Sequence, residues 1–400
     1  MATPPVTASA ADMDKLPGGS APPKDSWRAR WRAFRTRTIA KPGFQRWAAG
    51  FPLTRNIARA NTKALFDLCA GFVYAQTLFA CVRLDLFRIL FDGPLAPDVV
   101  AARVGLAPDR AERLLKAAAA LDLLARLPDG RFALADLGAA LIGNPSVAAM
   151  IEHHALLYAD LADPVALLRG EAGPTHLSRY WAYADAARGD PASAESVAAY
   201  STLMGASQSL IAQDIVEAYP LRDHRRILDV GGGEGAFLRE AARHAPGLGL
   251  MLFDLPAVTA RAERAFAEAG LSARAKTFGG AFPDDPLLSG ADLVSLVRVV
   301  HDHDDGKVRA LLRAAHAALP PGGTLLIAEP MAGTPGAEAM ADAYFGFYLL
   351  AMGTGRCRTA AELTQLLAEA GFGGVREVPT RRPLLTRLLV SNRLDSTNRK

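Results

Sequence analysis

Five residues carry most of the chemical information in this sequence: Asp229, Asp254, Arg298, His301 and Glu329. Each stands at or near the end of a short apolar run, where a buried strand would deliver it to one edge of a sheet. Asp229 lies just before Gly231-Gly-Gly-Glu-Gly235. There the apolar run Ile227–Val230 breaks, and Phe237, Leu238 and Ala241 begin a helical period. Glycines at such a turn let the backbone bend tightly and let a ligand come close. Gly231, Gly233 and Ala236 satisfy the loose pattern G-x-G-x-x-G/A, a weak signal for a dinucleotide. Asp229 changes that reading. A carboxylate at the mouth of the turn repels a pyrophosphate and attracts a cationic amino group, a preference on the order of several kcal/mol at about 4 Å and an effective dielectric near 20. A nucleoside that carries positive charge, S-adenosylmethionine (SAM), therefore suits the turn better than NAD. Asp254 ends the next apolar run about twenty residues on, where an acid holds ribose hydroxyls in either cofactor class.

His301 follows the run Asp292–Val300, in which Arg298 is the only basic residue. A histidine leaving a strand on the active edge is placed to act as a general base. Glu329, at the exit of the next run, is placed to orient it. The cluster His301-Asp-His-Asp-Asp305 also invites a metal reading, but Asp304 and Asp305 open the following helix, where carboxylates cap backbone N–H groups; no metal is expected. The ordinary alternatives are a histidine that only caps a strand and a glycine turn that binds nothing.

These residues need a parallel sheet to bring them together, because ligands of open α/β sheets bind beyond the carboxyl ends of the strands. Strands are predicted near 226–230, 248–254, 273–278, 291–299, 323–329, 374–379 and 384–392. Helices are predicted near 235–245, 256–270, 304–319, 336–351 and 359–371. The last two strands have no crossover helix between them and should form an antiparallel hairpin.

The preceding half is mostly helical. Residues 1–25 are rich in Ala, Pro, Ser and Gly and are expected to be disordered. Between 27 and 47 the chain is basic, with Trp27, Trp31 and Phe34 on one helical face; this arm either packs its aromatics on the body or lies on an anionic membrane. The stretch 65–90 is apolar at helical period, interrupted by Gly71, and suits a dimer interface or a deep core. Residues 96–134 follow a winged-helix pattern: helices near 96–104 and 109–125, a turn at Leu127-Pro-Asp-Gly130, and a return strand. Its second helix holds Ala117–Ala120, with few groups able to reach a base, so packing is favoured over DNA binding. Residues 140–220 are helices punctuated by prolines. His153 and His154 are adjacent and point to different helical faces, which suits a core or cavity role better than a shared ion.

Composition narrows the class. Of 400 residues, 50% are hydrophobic and the net charge is only +4, so no nucleic-acid partner is implied. Three widely spaced cysteines make neither a zinc pattern nor a disulfide framework and fit a reducing cytoplasm. No secretory signal is evident. The longest uncharged apolar stretch, 68–82, is short of the roughly 20 residues that span a bilayer.

Taken together, Asp229–Gly235, Phe253-Asp-Leu-Pro256, Val300–Asp305, Pro321-Gly-Gly323 and Ala328-Glu-Pro330 resemble the class I O-methyltransferases of the plant caffeate type and their bacterial relatives. The resemblance spans about residues 60–393. It implies an α/β fold with a Rossmann-like sheet ending in an antiparallel hairpin, preceded by a helical, winged-helix-like dimerisation domain. The expected boundaries are an arm at 1–50, dimerisation helices at 51–145, a connector lining the substrate cavity at 146–220, the SAM domain at 221–393 and a tail at 394–400. It further implies a homodimer, SAM as methyl donor, His301 as proton acceptor with Glu329 beside it, and cofactor contacts from Asp229, Gly231, Gly233, Asp254, Gly280, Ala281, Phe282 and Arg298. Residues 65–90, Ala339–Tyr348 and Thr380–Leu389 look most like the bacterial branch that methylates the tertiary 1-hydroxyl of acyclic hydroxycarotenoids. That would give a basic arm at the inner membrane a purpose, and a pocket lined by side chains such as Met204, Met331, Phe345, Phe347, Tyr348 and Met352, although each of these reads first as an ordinary helix-core residue. A phenol or polyketide acceptor is the nearer alternative; a SAM-sensing winged-helix regulator and a dehydrogenase are the more distant ones. Two departures stand out. Where the family's third strand ends in Gly-Asp before an aromatic, to meet adenine, this chain has Gly279-Gly280-Ala281-Phe282. Where the family has a second acid beside the histidine, in Gly-Arg-Glu-Arg-Thr, it has Cys357, so His301 is expected to be held by one acid.

Overall fold

A computed structural model describes residues 26–180 and 208–394. The N-terminal 25 residues, Met204 and the tail beyond 394 lie outside it. The chain divides into two units, Met1–Gln76 and Thr77–Lys400.

The first unit holds α1 (Trp27–Ile39), α2 (Pro42–Gly50) and the start of α3 (Arg55–Arg83). Ser26 caps α1 by accepting the Ala29 N–H. Trp31 stacks on Phe34 and Trp47 on Phe51, yet all three helices leave large apolar side chains exposed, among them Trp27, Trp31, Phe66 and Phe72. The expected interruption at Gly71 does not occur: α3 runs through it for 29 residues. One interior glycine costs about 1 kcal/mol against alanine, too little to break a long run of good helix formers. Counted whole, with its flanking charges, α3 is long and apolar enough to cross a membrane by length and composition, a test that helices built for protein contacts also pass.

In the second unit α4 (Leu86–Ile89), α5 (Pro97–Val104), α6 (Pro108–Ala120) and α7 (Asp136–Ile142) surround a two-stranded wing, β1 (Leu124–Arg126) against β2 (Phe132–Leu134). α6 turns Ala111, Leu115 and Ala118 into the core with Phe87 and Phe132, the packing role its sequence suggested. α8 (Pro145–Asp160) and α9 (Pro164–Leu168) follow.

The large sheet contains β3 (Arg226–Val230), β4 (Gly249–Asp254), β5 (Ala275–Gly279), β6 (Leu293–Val297), β7 (Thr324–Glu329), β8 (Phe372–Val378) and β9 (Arg387–Arg393). Their order is β5-β4-β3-β6-β7-β9-β8. The first five are parallel; β9 runs antiparallel to β7 and pairs with β8, the anticipated terminal hairpin. The interleaved helices are α10 (Ala236–His244), α11 (Pro256–Glu268), α12 (Asp305–Ala318), α13 (Phe345–Met352) and α14 (Ala360–Glu369). Two apolar layers, one on each face of the sheet, bury the strands; Ile227, Leu228, Leu296 and Leu325 are fully enclosed. Strand ends agree with the sequence pattern to within three residues. The predicted helix 336–351 is the exception in kind: it opens as a π-helix, Ala339–Tyr344, before α13. Strand order reverses between β3 and β6, and a cavity opens beyond the carboxyl ends of these strands, as a topological switch point requires.

Candidate active site

The cavity has a volume of about 620 Å³ and is lined by residues of two kinds. At one end are the glycine turn, strand ends and their loops: Gly231, Gly233, Asp254, Gly280, Ala281, Phe282, Arg298, His301 and Asp302. At the other are α8 and the 340–352 helix: Met150, His154, Met340, Tyr344, Phe345, Tyr348 and Met352.

The glycine turn is built by positive φ at Gly231, Gly233 and Gly235 (69°, 58° and 74°), a region that favours glycine. A Cβ on Gly235 would strike the Phe266 ring at 2.5 Å, so this glycine lets α11 pack under the turn. At Gly233 nothing lies within 4 Å of where a Cβ would be, so its backbone faces open space. The Gly233 N–H donates to Asp254 Oδ2 (2.8 Å), and the Leu255 N–H donates to Oδ1 (2.7 Å). Two backbone donors thus fix the Asp254 carboxylate at the cavity wall. Burial raises its pKa against their pull.

Asp229 is placed differently from its expected position at the mouth. It is 1% exposed and is not among the lining residues. Its Oδ1 accepts the Ser295 hydroxyl (2.6 Å), while Oδ2 sits under Gly232, 2.6 Å from where a Cβ would be, with no hydrogen-bond partner among the described residues. Burial pushes this carboxyl up to about 7. The reason is the pleat: β3 alternates its side chains, and position 229 points down against β6 while the turn folds over it. Any influence on a ligand passes through the turn.

Gly280 is small because Phe253 is large; a Cβ there would meet that ring at 2.7 Å. The neighbouring Ala281 N–H donates to Asp285 (2.9 Å), and Phe282 meets His303 edge-on at 5.0 Å. Arg298 has φ 57°, unusual for a non-glycine residue, and its N–H donates to Ala328 O (2.8 Å). This turns the chain out of β6 and sends the next residues along the cavity.

His301 is 2% exposed but lines the cavity. Glu329, wholly buried at the end of β7, accepts the His301 backbone N–H (3.0 Å) and lies 3.4 Å from Nδ1. On the other side of the ring, Asp302 Oδ1 is 3.2 Å from Nε2. Two acids therefore flank the imidazole, which corrects the expectation of one: the second comes from the next residue along the chain. Burial raises the Asp302 pKa, against the lowering influence of His301 and Arg298. Cys357 stands close enough to Glu329 and Asp302 to feel both, and burial pushes its thiol up to about 12, so it stays neutral beside them.

The segment around His301 is strapped from the far side by Gly355–Thr359, which sequence reasoning valued only for its cysteine. Arg358 is fully buried; it donates to the carbonyls of Val300 (2.9 Å) and His303 (2.8 Å) and to Asp305 Oδ1 (2.6 Å). Gly355, at φ 87°, lies so close that a Cβ would be 2.2 Å from the His301 carbonyl oxygen. Asp304 caps α12 as expected, accepting the Gly306 and Lys307 N–H groups. Of the anticipated apolar lining, Phe345, Tyr348 and Met352 face the cavity; Met331 is core, and Phe347 is not among the lining residues. The adjacent histidines separate: His154 lines the cavity and bonds Tyr344, while His153 bonds Tyr348.

A parallel sheet with an acid-held glycine turn, and a buried histidine between carboxylates at the neighbouring strand end, define a nucleoside-dependent group-transfer enzyme rather than a binding module. Residues 158–373 match the O-methyltransferase domain family, and residues 66–144 match the O-methyltransferase dimerisation domain. The chain belongs to this family and is a SAM-dependent O-methyltransferase. It is 46% identical over 342 residues to demethylspheroidene O-methyltransferase of Cereibacter sphaeroides, covering 85% of this chain and 89% of that one. It is 44% identical over 344 residues to the enzyme of that name from Rhodobacter capsulatus, covering 86% and 85%. Among solved structures, a methyltransferase of calicheamicin biosynthesis in its SAH-bound form is 28% identical, with a TM-score of 0.69 over 84% of this chain and 98% of that one.

Proposed function

We propose that this enzyme methylates a hydroxyl on an acyclic carotenoid, the tertiary 1-hydroxyl being the position that the family resemblance implies, with SAM as donor. The observation that supports the acceptor is 46% identity, over most of both chains, to an enzyme named for such a substrate. The cavity is consistent with it: beyond His301 the wall is Phe345, Tyr344, Tyr348, Leu349 and Met352, rings and apolar chains suited to a polyene.

The residues at the cofactor end fit SAM. Asp254, fixed by two N–H donors, would accept from ribose hydroxyls, Gly233 offers open backbone, and Phe282 and Ala281, which line the same end, would meet adenine. When bound, SAM supplies a methyl group activated by its sulfonium. The chain contributes position and a proton acceptor. The acceptor oxygen must approach the methyl opposite sulfur, and holding that line is worth roughly 7–11 kcal/mol of barrier. Glu329 accepts the His301 backbone N–H and faces Nδ1, so Nε2, with Asp302 Oδ1 3.2 Å away, is the nitrogen assigned to take the hydroxyl proton. Asp302 beside Nε2 stabilises the imidazolium that results. No metal enters this scheme.

The family's dimerisation domain supports a homodimer. Peripheral association with an anionic membrane is the further part of the proposal. α1 and α2 display Trp27, Trp31, Phe34 and Trp47 among seven basic residues and no acidic one between 27 and 47, the pattern of an interfacial segment. Liposome flotation of a variant lacking residues 1–50 tests it; undiminished binding rejects the arm's role. For the acceptor, labelled SAM is offered with a panel of acyclic hydroxycarotenoids, phenols and polyketides. Transfer to the phenols with none to the carotenoids rejects the reading.

A further inference from the structure

The acceptor end holds a feature that base catalysis does not use. Two consecutive histidines of α8 meet two tyrosines one helical turn apart on the facing helix. His154 Nε2 lies 2.8 Å from Tyr344 Oη, and His153 Nε2 lies 2.9 Å from Tyr348 Oη. Tyr344 and Tyr348 form one stripe at i and i+4, and both line the cavity. Burial lowers the pKa of both histidines, His153 to about 4, and pushes the Tyr344 phenol up to about 12. His154 and Tyr344 therefore meet as neutral imidazole and neutral phenol. A phenol is the better proton donor and an unprotonated imidazole nitrogen the better acceptor, so with Nε2 unprotonated each phenol gives its hydrogen to a histidine rather than to a ligand.

We propose that His154 and His153 mask the cavity tyrosines: by taking up the hydroxyl hydrogens they leave Tyr344 and Tyr348 no donor to offer the acceptor, so that this wall selects a molecule apolar around its single reacting hydroxyl. This rests on the apolar acceptor proposed above. An unmasked tyrosine would favour acceptors with a second polar group, because discrimination works as much by leaving groups unpaired as by making contacts. The masks sit on α8, 190 or more positions from the residues they serve.

The logic of paired polar groups supplies the test. Removing one partner leaves the other buried and unsatisfied, whereas removing both can be nearly neutral. Wild-type enzyme, His154→Leu, Tyr344→Phe and the double variant are compared with a 1-hydroxylated acyclic carotene in detergent, 2-naphthol and 2,3-dihydroxynaphthalene. His154→Leu is expected to raise the KM for the carotene and for 2-naphthol about tenfold, with a far smaller change in kcat. It should also shift preference toward the dihydroxy compound, and the double variant should recover most of the lost affinity. SAH affinity, read by calorimetry, is expected to stay constant throughout. Additive losses in the double variant overturn the proposal. So does a fall in melting temperature with no change in any KM, which would make the pairs purely structural. If wild type turns over the naphthols and not the carotene, the acceptor reading fails, and the pattern of naphthol KM values decides the masking on its own.

Discussion

The two ends of the cavity are made by different means. At the cofactor end, side chains are fixed by backbone groups near in sequence or on adjacent strands: Asp254 by Gly233 and Leu255, Asp285 by Ala281, while three positive-φ glycines shape the turn. At the acceptor end, side chains hold side chains across helices that share no strand: His154 with Tyr344 and His153 with Tyr348. Backbone-held groups keep their place whatever the neighbouring side chain is. A wall of paired side chains can be rewritten by a few substitutions. One chemistry applied to many acceptors calls for that division.

His301 lies on the border between the two ends, and its loss should be the most costly. His301→Ala is expected to lower kcat about 10²- to 10⁴-fold while SAH still binds with wild-type affinity by calorimetry; wild-type turnover would end its role as proton acceptor. Next is the strap. Arg358→Met leaves the carbonyls of Val300 and His303 without their buried donor, at about 1–3 kcal/mol each. A clear drop in melting temperature should accompany a fall in kcat, and an unchanged melt would mean that the strap is ornamental. Asp254→Ala should then weaken SAM affinity roughly ten- to hundredfold, the value of hydrogen bonds to a charged group, with little change in acceptor KM; a change confined to the acceptor would erase the division drawn above. The smallest effect concerns Asp229. Its folded pKa is raised to about 7, so the native state holds a proton that the unfolded chain releases near pH 4, and this group's contribution to stability falls as pH rises between those values. Asp229→Asn keeps an acceptor for Ser295 and should flatten the decline of melting temperature over that window. A slope identical to wild type would show that the carboxylate stays ionised.

The same division explains what the sequence disclosed. The turn, Asp254, His301 and Glu329 were legible because each depends on a strand end and a local spacing, and β3 ends where its apolar run does, at Val230. Asp229 was legible as an acid but not in its direction, since one residue of pleat decides whether a side chain meets solvent or core. Asp302 is legible as one of the residues around the cleft but not as the second acid beside the imidazole; adjacency at the exit of a strand is what sets it beside Nε2. Arg358 and the tyrosine masks were hidden for another reason. Their partners lie more than fifty and nearly two hundred positions away, and no period or spacing announces such a contact.

The widened turn at 339–344 bears on how such an enzyme changes. A π segment holds one more residue than the α pitch would, and such turns recur at functional sites. Deleting a single residue there would return the chain to ordinary pitch and rotate Met340 by about 100° relative to Tyr344, re-cutting the acceptor wall while leaving the glycine turn, the imidazole and its acids in place. Length, then, and not only composition, is a coordinate along which this family can wander between acceptors.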